Sequence, residues 1–117
     1  MFNKDYYPQN RGFDYFNGFL TGGQDFFTHQ KCHGQKVGGK TEKWCGFDYR
    51  EAYAGQEETI SYNITGRYTN DIMVDAIKNR LKNSDPNVPN FTYFSLQAVH
   101  RPIQAPKKYI DIYRNIG

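Results

Sequence analysis

The sequence predicts an α/β fold in which a helix packs against a strand that is covered on both faces. Residues 70–82 carry one apolar stripe at helical spacing. Residues 91–96 form a run of high β propensity without strict alternation of polar and apolar side chains, as expected for a buried strand. A polar loop joins the two, so this part of the chain predicts half of an α/β unit.

The first half of the chain predicts short strands and turns. Residues 11–20 lie between glycines, and their periodicity is too poor for a helix, so they predict a short strand or a turn. Residues 44–49 predict one strand of a hairpin whose other strand precedes Gly38.

The predicted helix is marked at both ends. Thr69 is placed to be the N-cap, Arg80 and Lys82 lie in the last turn, and Pro86 prevents continuation. The apolar stripe consists of Ile72, Met73, Ala76, Ile77 and Leu81.

His100 follows the predicted strand and is the first candidate for a functional residue. In open α/β sheets, ligands bind beyond the carboxyl ends of the strands, and here that edge is residues 97–102. The alternative from position alone is a turn histidine that is hydrogen-bonded to the backbone.

Composition limits the function classes. The chain has 117 residues, ten tyrosines, nine phenylalanines and a net charge of +3. Its basic residues are dispersed, which excludes a nucleic-acid-binding signature, and it has no apolar run of membrane-spanning length. Its mean hydropathy of −0.85 together with the 17% aromatic content predicts a folded chain that normally has more protein around it.

Two cysteines and two sequons bear on the cellular compartment. The spacing of Cys32 and Cys45 leaves a disulfide and two free thiols equally open. The N-x-[ST] triplets at Asn63 and Asn90 are candidate glycosylation sites and favour the secretory route. We therefore expect a lysosomal or secreted protein whose signal peptide is not in this chain.

Three collinear segments carry motifs that occur together in one known family. Residues 93–106, YFSLQAVHRPIQAP, are similar to a segment in which a buried strand leads into a His-x-Pro-x-x-x-Pro turn. Residues 11–22 and 25–29 resemble the stretch RGFD…G.L.G..DYYTH of the same family, and residues 68–77 resemble the helix between the two. On these segments the chain resembles the sulfatase family, arylsulfatase B type.

The resemblance implies an alkaline-phosphatase-like α/β fold with a central, mostly parallel sheet. It implies hydrolysis of sulfate esters with Ca²⁺ and a formylglycine made from the cysteine of a C-x-P-S-R motif. That motif is absent from residues 1–117, and no Ca²⁺ ligand carries over. Residues 1–117 are thus expected to be the central part of a sulfatase catalytic domain without its nucleophile and C-terminal regions, inactive by itself. The resemblance also implies a structural disulfide between Cys32 and Cys45.

Only His100 matches a functional residue of the family. The implied role is both catalytic and substrate-binding, because an imidazolium offers charge and a proton to a sulfate ester transition state. Arg101 either helps to select sulfated sugars or is a solvated surface arginine. His29 and His33 are expected to be structural or exposed. A solvated hairpin face is expected for Lys36, Lys40 and Lys43.

The implied partners are a sulfated small molecule or glycosaminoglycan substrate and the remainder of the sulfatase domain. Two alternatives stay open. One is a secreted protein that binds sulfated carbohydrate without catalysis, and the other is a phosphodiesterase or phosphatase of the same superfamily.

Overall fold

Five strands and two α-helices form the regular structure of residues 3–116, the residues that the computed structural model describes. The strands are β1 (Tyr15–Gly18), β2 (Gln30–Val37), β3 (Lys40–Phe47), β4 (Arg50–Tyr53) and β5 (Thr59–Ile60). The helices are α1 (Thr69–Lys82) and α2 (Lys107–Ile110). Short 3₁₀ helices lie at Lys4–Tyr6, Pro8–Asn10, Tyr62–Ile64 and Asp111–Tyr113.

The predicted hairpin is confirmed as β2 and β3, although β3 ends at Phe47 and does not continue to residue 49. Gly38 and Gly39 form its two-residue turn with φ angles of 56° and 81°, which favours glycine at both positions because such turns need positive φ. The register places Cys32 opposite Cys45. A disulfide joins these two cysteines, with a Cα–Cα distance of 4.0 Å.

The second sheet is antiparallel, with the strand order β1-β4-β5. Its first strand lies within residues 11–20, as predicted. The short Asp48–Tyr49 connection between β3 and β4 is buried. Tyr49 is fully buried and its hydroxyl donates to Asn17 Oδ1 at 2.6 Å, so this connection joins the hairpin to the sheet.

Helix α1 confirms the predicted helix, but the predicted N-cap is wrong. The N-cap residue is Tyr68, and Thr69 is the first residue of the helix. The Thr69 hydroxyl donates to the carbonyl of Phe26 at 2.9 Å, so it is not available as a cap. The apolar stripe is covered mainly near the start of the helix, since Ile72 is buried whereas Leu81 is 55% exposed.

The core is small and aromatic. Tyr49, Ile64 and Ile72 form its buried cluster, against which Phe47 and Met73 pack. Beside it, the rings of Phe26 and Tyr68 stack with centroids 5.2 Å apart.

Residues 91–96, predicted as a buried strand, have no regular secondary structure. The side chains of Phe91, Tyr93, Phe94 and Leu96 are between 41% and 81% exposed. A strand exists only beside another strand, and none of the described strands lies next to this segment. The sheets that are present are antiparallel, so residues 3–116 contain no pair of parallel strands.

None of the helices within residues 3–116 combines the length and the apolar character needed to cross a bilayer.

Candidate functional site

The site is built on a tight turn that follows the first strand of the chain. Asp25 Oδ1 accepts hydrogen bonds from the backbone N–H groups of Phe27 and Thr28, at 3.0 and 2.7 Å, and from the Thr28 hydroxyl. Partial burial alone would raise the pKa of Asp25, but hydrogen bonds from Thr28, Gln104 and Phe27 outweigh it and lower the pKa to about 2. The carboxylate is therefore a fixed acceptor at the centre of the turn.

Gln104 links this turn to the segment that carries His100. Its Nε2 donates to Asp25 Oδ2 at 2.7 Å, while its Oε1 accepts from the backbone N–H of Phe26 at 2.9 Å. Its carbonyl accepts from the Tyr68 hydroxyl, next to the start of α1. A single residue, through its side chain and its carbonyl, thus ties together three segments that are far apart in sequence.

A second amide side chain fixes the other end of the same segment. Gln97 is buried, and its Nε2 donates to the carbonyl of Gln24. The Gln24 amide lies between the carbonyls of His29 and Asp48, so that its Nε2 donates to both. His100 therefore lies on a turn that is held at both ends.

The imidazole of His100 is exposed and lies over Gly23. Its Nδ1 is 2.7 Å from the carbonyl of Arg101. A carbonyl only accepts, so this contact assigns a proton to Nδ1. Nε2 then points away from this bond and has no hydrogen-bond partner among residues 3–116.

Gly23 makes room for the ring. A Cβ atom at this position would lie 2.9 Å from His100 Nδ1 and 3.0 Å from Cε1. The φ angle of Gly23 is 154°, which also disfavours any other residue. The loop before it is anchored by the buried carboxylate of Asp48, which accepts from the N–H groups of Leu20 and Thr21.

His29 is fully buried, which agrees with the expected structural role. Its Nε2 is 3.2 Å from the carbonyl of Ile64, and its Nδ1 is 3.3 Å from the Thr69 hydroxyl. Burial lowers the pKa of His29, although the nearby carbonyls of Ile64 and Arg67 oppose the shift. The ring cross-links the Asp25 turn to α1.

Comparison with known proteins gives the family. The family model described as Sulfatase matches residues 1–117, the whole chain. The chain belongs to the sulfatase family. Membership implies the alkaline-phosphatase-like α/β fold, of which these residues contain helices and antiparallel strands.

Curated sulfatases align with nearly all of the chain. A mouse (Mus musculus) protein named Arylsulfatase J is 36% identical over 116 residues, which is 99% of this chain and 18% of that relative. An uncharacterized sulfatase of Schizosaccharomyces pombe is 26% identical over 111 residues, covering 94% of this chain and 19% of the yeast protein. The chain therefore spans about one fifth of the length of the curated sulfatases that it matches.

Of the other residues singled out in the sequence, Arg101 takes part in this site, and it does so through its backbone carbonyl. Asn63 and Asn90 are exposed. Arg101 is exposed beside His100, and His33 is exposed on the hairpin. Within residues 3–116, no three His, Cys, Asp or Glu side chains are grouped so that they could hold a metal ion.

Sequence reasoning did not single out the residues that hold His100 in place. Asp25, Gln104, Gln97 and Gly23 are ordinary polar or small residues, and none carries a motif of its own. The available signal was the order of the sulfatase-like segments, which is the order found in the family. Two of these segments, 25–29 and 93–106, contain residues that meet in space.

Gln104→Ala should destabilise the His100 turn, whereas the same substitution at an exposed glutamine should not. The substitution leaves the N–H of Phe26 and the Oδ2 of Asp25 without their partner, which costs about 1–3 kcal/mol for each buried group left unpaired. We expect a lower Tm and a lower kcat in the complete enzyme. Gln35→Ala, on the exposed hairpin, is the control and should change neither. An unchanged Tm for Gln104→Ala would contradict the proposed link.

The burial of His29 should make stability depend on pH. Because its pKa is lowered in the folded state, the unfolded chain binds the proton more readily. Stability is therefore full above the unfolded pKa of about 6.5 and is lost as the pH falls from there through the folded pKa. We expect His29→Gln to flatten the fall in Tm between pH 7.5 and pH 5, and the exposed control His33→Gln to retain it. A parallel fall in both variants would be evidence against this role.

Proposed function

We propose that this chain is the central part of the catalytic domain of a sulfuric ester hydrolase of the arylsulfatase type, which acts on sulfated sugars or aryl sulfates. In this proposal His100 contacts the sulfate group and assists departure of the alcohol. The observation that supports this role is the setting of the His100 ring. The ring is exposed, its Nδ1 is held by a hydrogen bond, and its Nε2 is free to meet a substrate. Sulfatase family membership supports the reaction class.

Cleavage of a sulfate ester requires a group that can supply a hydrogen bond and a proton, and His100 offers such a group. As a sulfate ester is cleaved, negative charge gathers on the sulfate oxygens and on the departing oxygen. An imidazole whose Nδ1 is held by a carbonyl directs Nε2 to the substrate, where the protonated form supplies a hydrogen bond and a proton. Gly23 and Gln104 act as positioning residues, because they set the place and orientation of the turn rather than touching the substrate.

Several observations support the proposal that more of the domain surrounds these residues. The radius of gyration is 17.0 Å, whereas a compact domain of 100 residues has about 13 Å. The aromatic side chains of residues 91–96 are exposed. Gln97 Oε1 is buried and has no hydrogen-bond partner among residues 3–116. In the complete domain, residues 91–96 would join the central, mostly parallel sheet, and further segments would cover them.

The proposed nucleophile and metal belong to other parts of the domain. Neither cysteine of this chain is available as a formylglycine precursor, since Cys32 and Cys45 are joined in the disulfide. A formylglycine would supply the nucleophile and Ca²⁺ would neutralise charge on the sulfate. The disulfide and the exposed sequons at Asn63 and Asn90 support a lysosomal or secreted location.

Turnover assays on the complete enzyme test the proposed function. We expect hydrolysis of 4-nitrophenyl sulfate and little hydrolysis of 4-nitrophenyl phosphate. Preference for the phosphate would favour the phosphatase alternative. Binding of sulfated carbohydrate with no hydrolysis of either ester would favour the non-catalytic binder.

A further inference from the structure

The β2–β3 hairpin carries an excess of positive charge. It contains Lys31, Lys36, Lys40 and Lys43 and one acidic residue, Glu42. Its net charge of +3 equals that of the whole chain. None of the four lysines forms an ion pair with another residue between 3 and 116.

The strand register divides these charges between two faces. Because side chains alternate along a strand, cross-strand partners share a face. Lys36 and Lys43 lie on the face of the disulfide. Lys31 and Lys40 lie on the opposite face, together with Trp44, which is paired with His33. This face is called the Trp44 face. Glu42 also lies on this second face, nearer the tip of the hairpin than Trp44.

The Trp44 face borders an open cleft near the base of the hairpin. Trp44 is 50% exposed. Lys31 is opposite Gly46, and a Cβ atom built on Gly46 would meet no atom within 4 Å. This leaves an open notch between the indole and the lysine. The notch belongs to a cleft of about 440 Å³ that is also lined by His33, Tyr7 and Arg50.

The cleft lies beside the loop that leads to Gly23, because its lining includes Leu20, Thr21 and Asp48, but it does not include the His100 turn itself. None of the residues that line it lies in the segment from residue 97 to residue 106. Among its cations, Arg50 is paired with Glu58 at 3.0 Å and is only 17% exposed. The cleft is also lined by Asp48, whose carboxylate accepts from the N–H groups of Leu20 and Thr21. Among the residues that the structure describes, Lys31 therefore supplies the unpaired positive charge of the cleft.

We propose that the Trp44 face binds a sulfated polysaccharide outside the His100 turn. The inference rests on the proposed function, since it names a second contact for a polymeric substrate. The apolar C–H face of a sugar ring fits a half-exposed indole, and an amphipathic aromatic ring is suited to a ligand that is apolar on one side and polar on the other. The adjacent unpaired lysine complements a sulfate on that sugar or its neighbour.

Affinity of the complete enzyme for chondroitin sulfate tests the proposal, with calorimetry as the measurement. Lys31→Ala should weaken binding roughly fivefold, the upper range for loss of one exposed charge contact. Lys43→Ala removes the same charge from the opposite face, next to Trp44 in sequence, and should change binding less than about twofold. Trp44→Ala should weaken binding roughly tenfold or more.

Three outcomes would overturn the inference. Equal weakening by Lys31→Ala and Lys43→Ala would indicate general attraction to a polyanion. Equal affinity for chemically desulfated chondroitin would remove the sulfate as the recognised group. Equal competition by inorganic polyphosphate, a polyanion without a sugar, would remove the sugar ring. Hydrolysis of 4-nitrophenyl sulfate by the unmodified enzyme tests the proposed function separately. Absent hydrolysis with Lys31-dependent binding would refute only the proposed function, and hydrolysis with Lys31-independent binding would refute only this inference.

Discussion

Replacing His100 by alanine in the complete enzyme should lower kcat by roughly 10²-fold or more. This is the scale of losing a general acid or a donor to a developing oxyanion. The Tm should change little, because the imidazole is exposed and its hydrogen bond to the carbonyl of Arg101 lies at the surface. The kcat for 4-nitrophenyl sulfate and the Tm would be measured on the same preparation.

Arg101→Ala is the matched control for His100→Ala. Arg101 is also exposed, and alanine at this position retains the backbone carbonyl that holds Nδ1 of His100. Turnover of a small aryl sulfate by this variant should stay within a few fold of the parent. If His100→Ala kept near-normal turnover, the catalytic and substrate-binding assignment of His100 would be withdrawn.

The 117-residue chain by itself should show no sulfatase turnover and no cooperative unfolding. The C-x-P-S-R motif is absent from residues 1–117, and residues 91–96 expose aromatic side chains and unpaired backbone groups. With so little buried apolar surface, the chain has limited means to offset its loss of conformational entropy. Circular dichroism melting and amide NMR dispersion would measure the folding.

A sharp, cooperative melting transition of the isolated chain would contradict this prediction about folding. Measurable hydrolysis of 4-nitrophenyl sulfate by the same preparation would contradict the prediction about activity. The complete enzyme, assayed in parallel, provides the positive control for both measurements.

Local features of the fold could be predicted because their causes are local. The stripe from Ile72 to Leu81 predicted α1, and the Gly38–Gly39 pair marked the hairpin turn. Both depend on neighbouring residues: a helix on side chains three and four positions apart, and a tight turn on residues that tolerate positive φ. The sulfatase-like segments likewise identified the family and His100 without any coordinates.

Long-range contacts decided the remaining features. Thr69 has the sequence context of an N-cap, yet its hydroxyl bonds to Phe26, 43 residues away. Residues 91–96 have strand propensity, yet propensity of this kind is realised only against a neighbouring strand.

The sequence by itself determined the helix, the hairpin, the family and the candidate histidine. Only the tertiary structure decided that Gln104 donates to Asp25 and that His29 is buried. It also decided that Gly23 lies where any larger residue would contact the His100 ring. The physical reason is that each of these depends on a partner distant in sequence. A polar side chain shows whether it can donate or accept, but its partner is set only when the chain has folded.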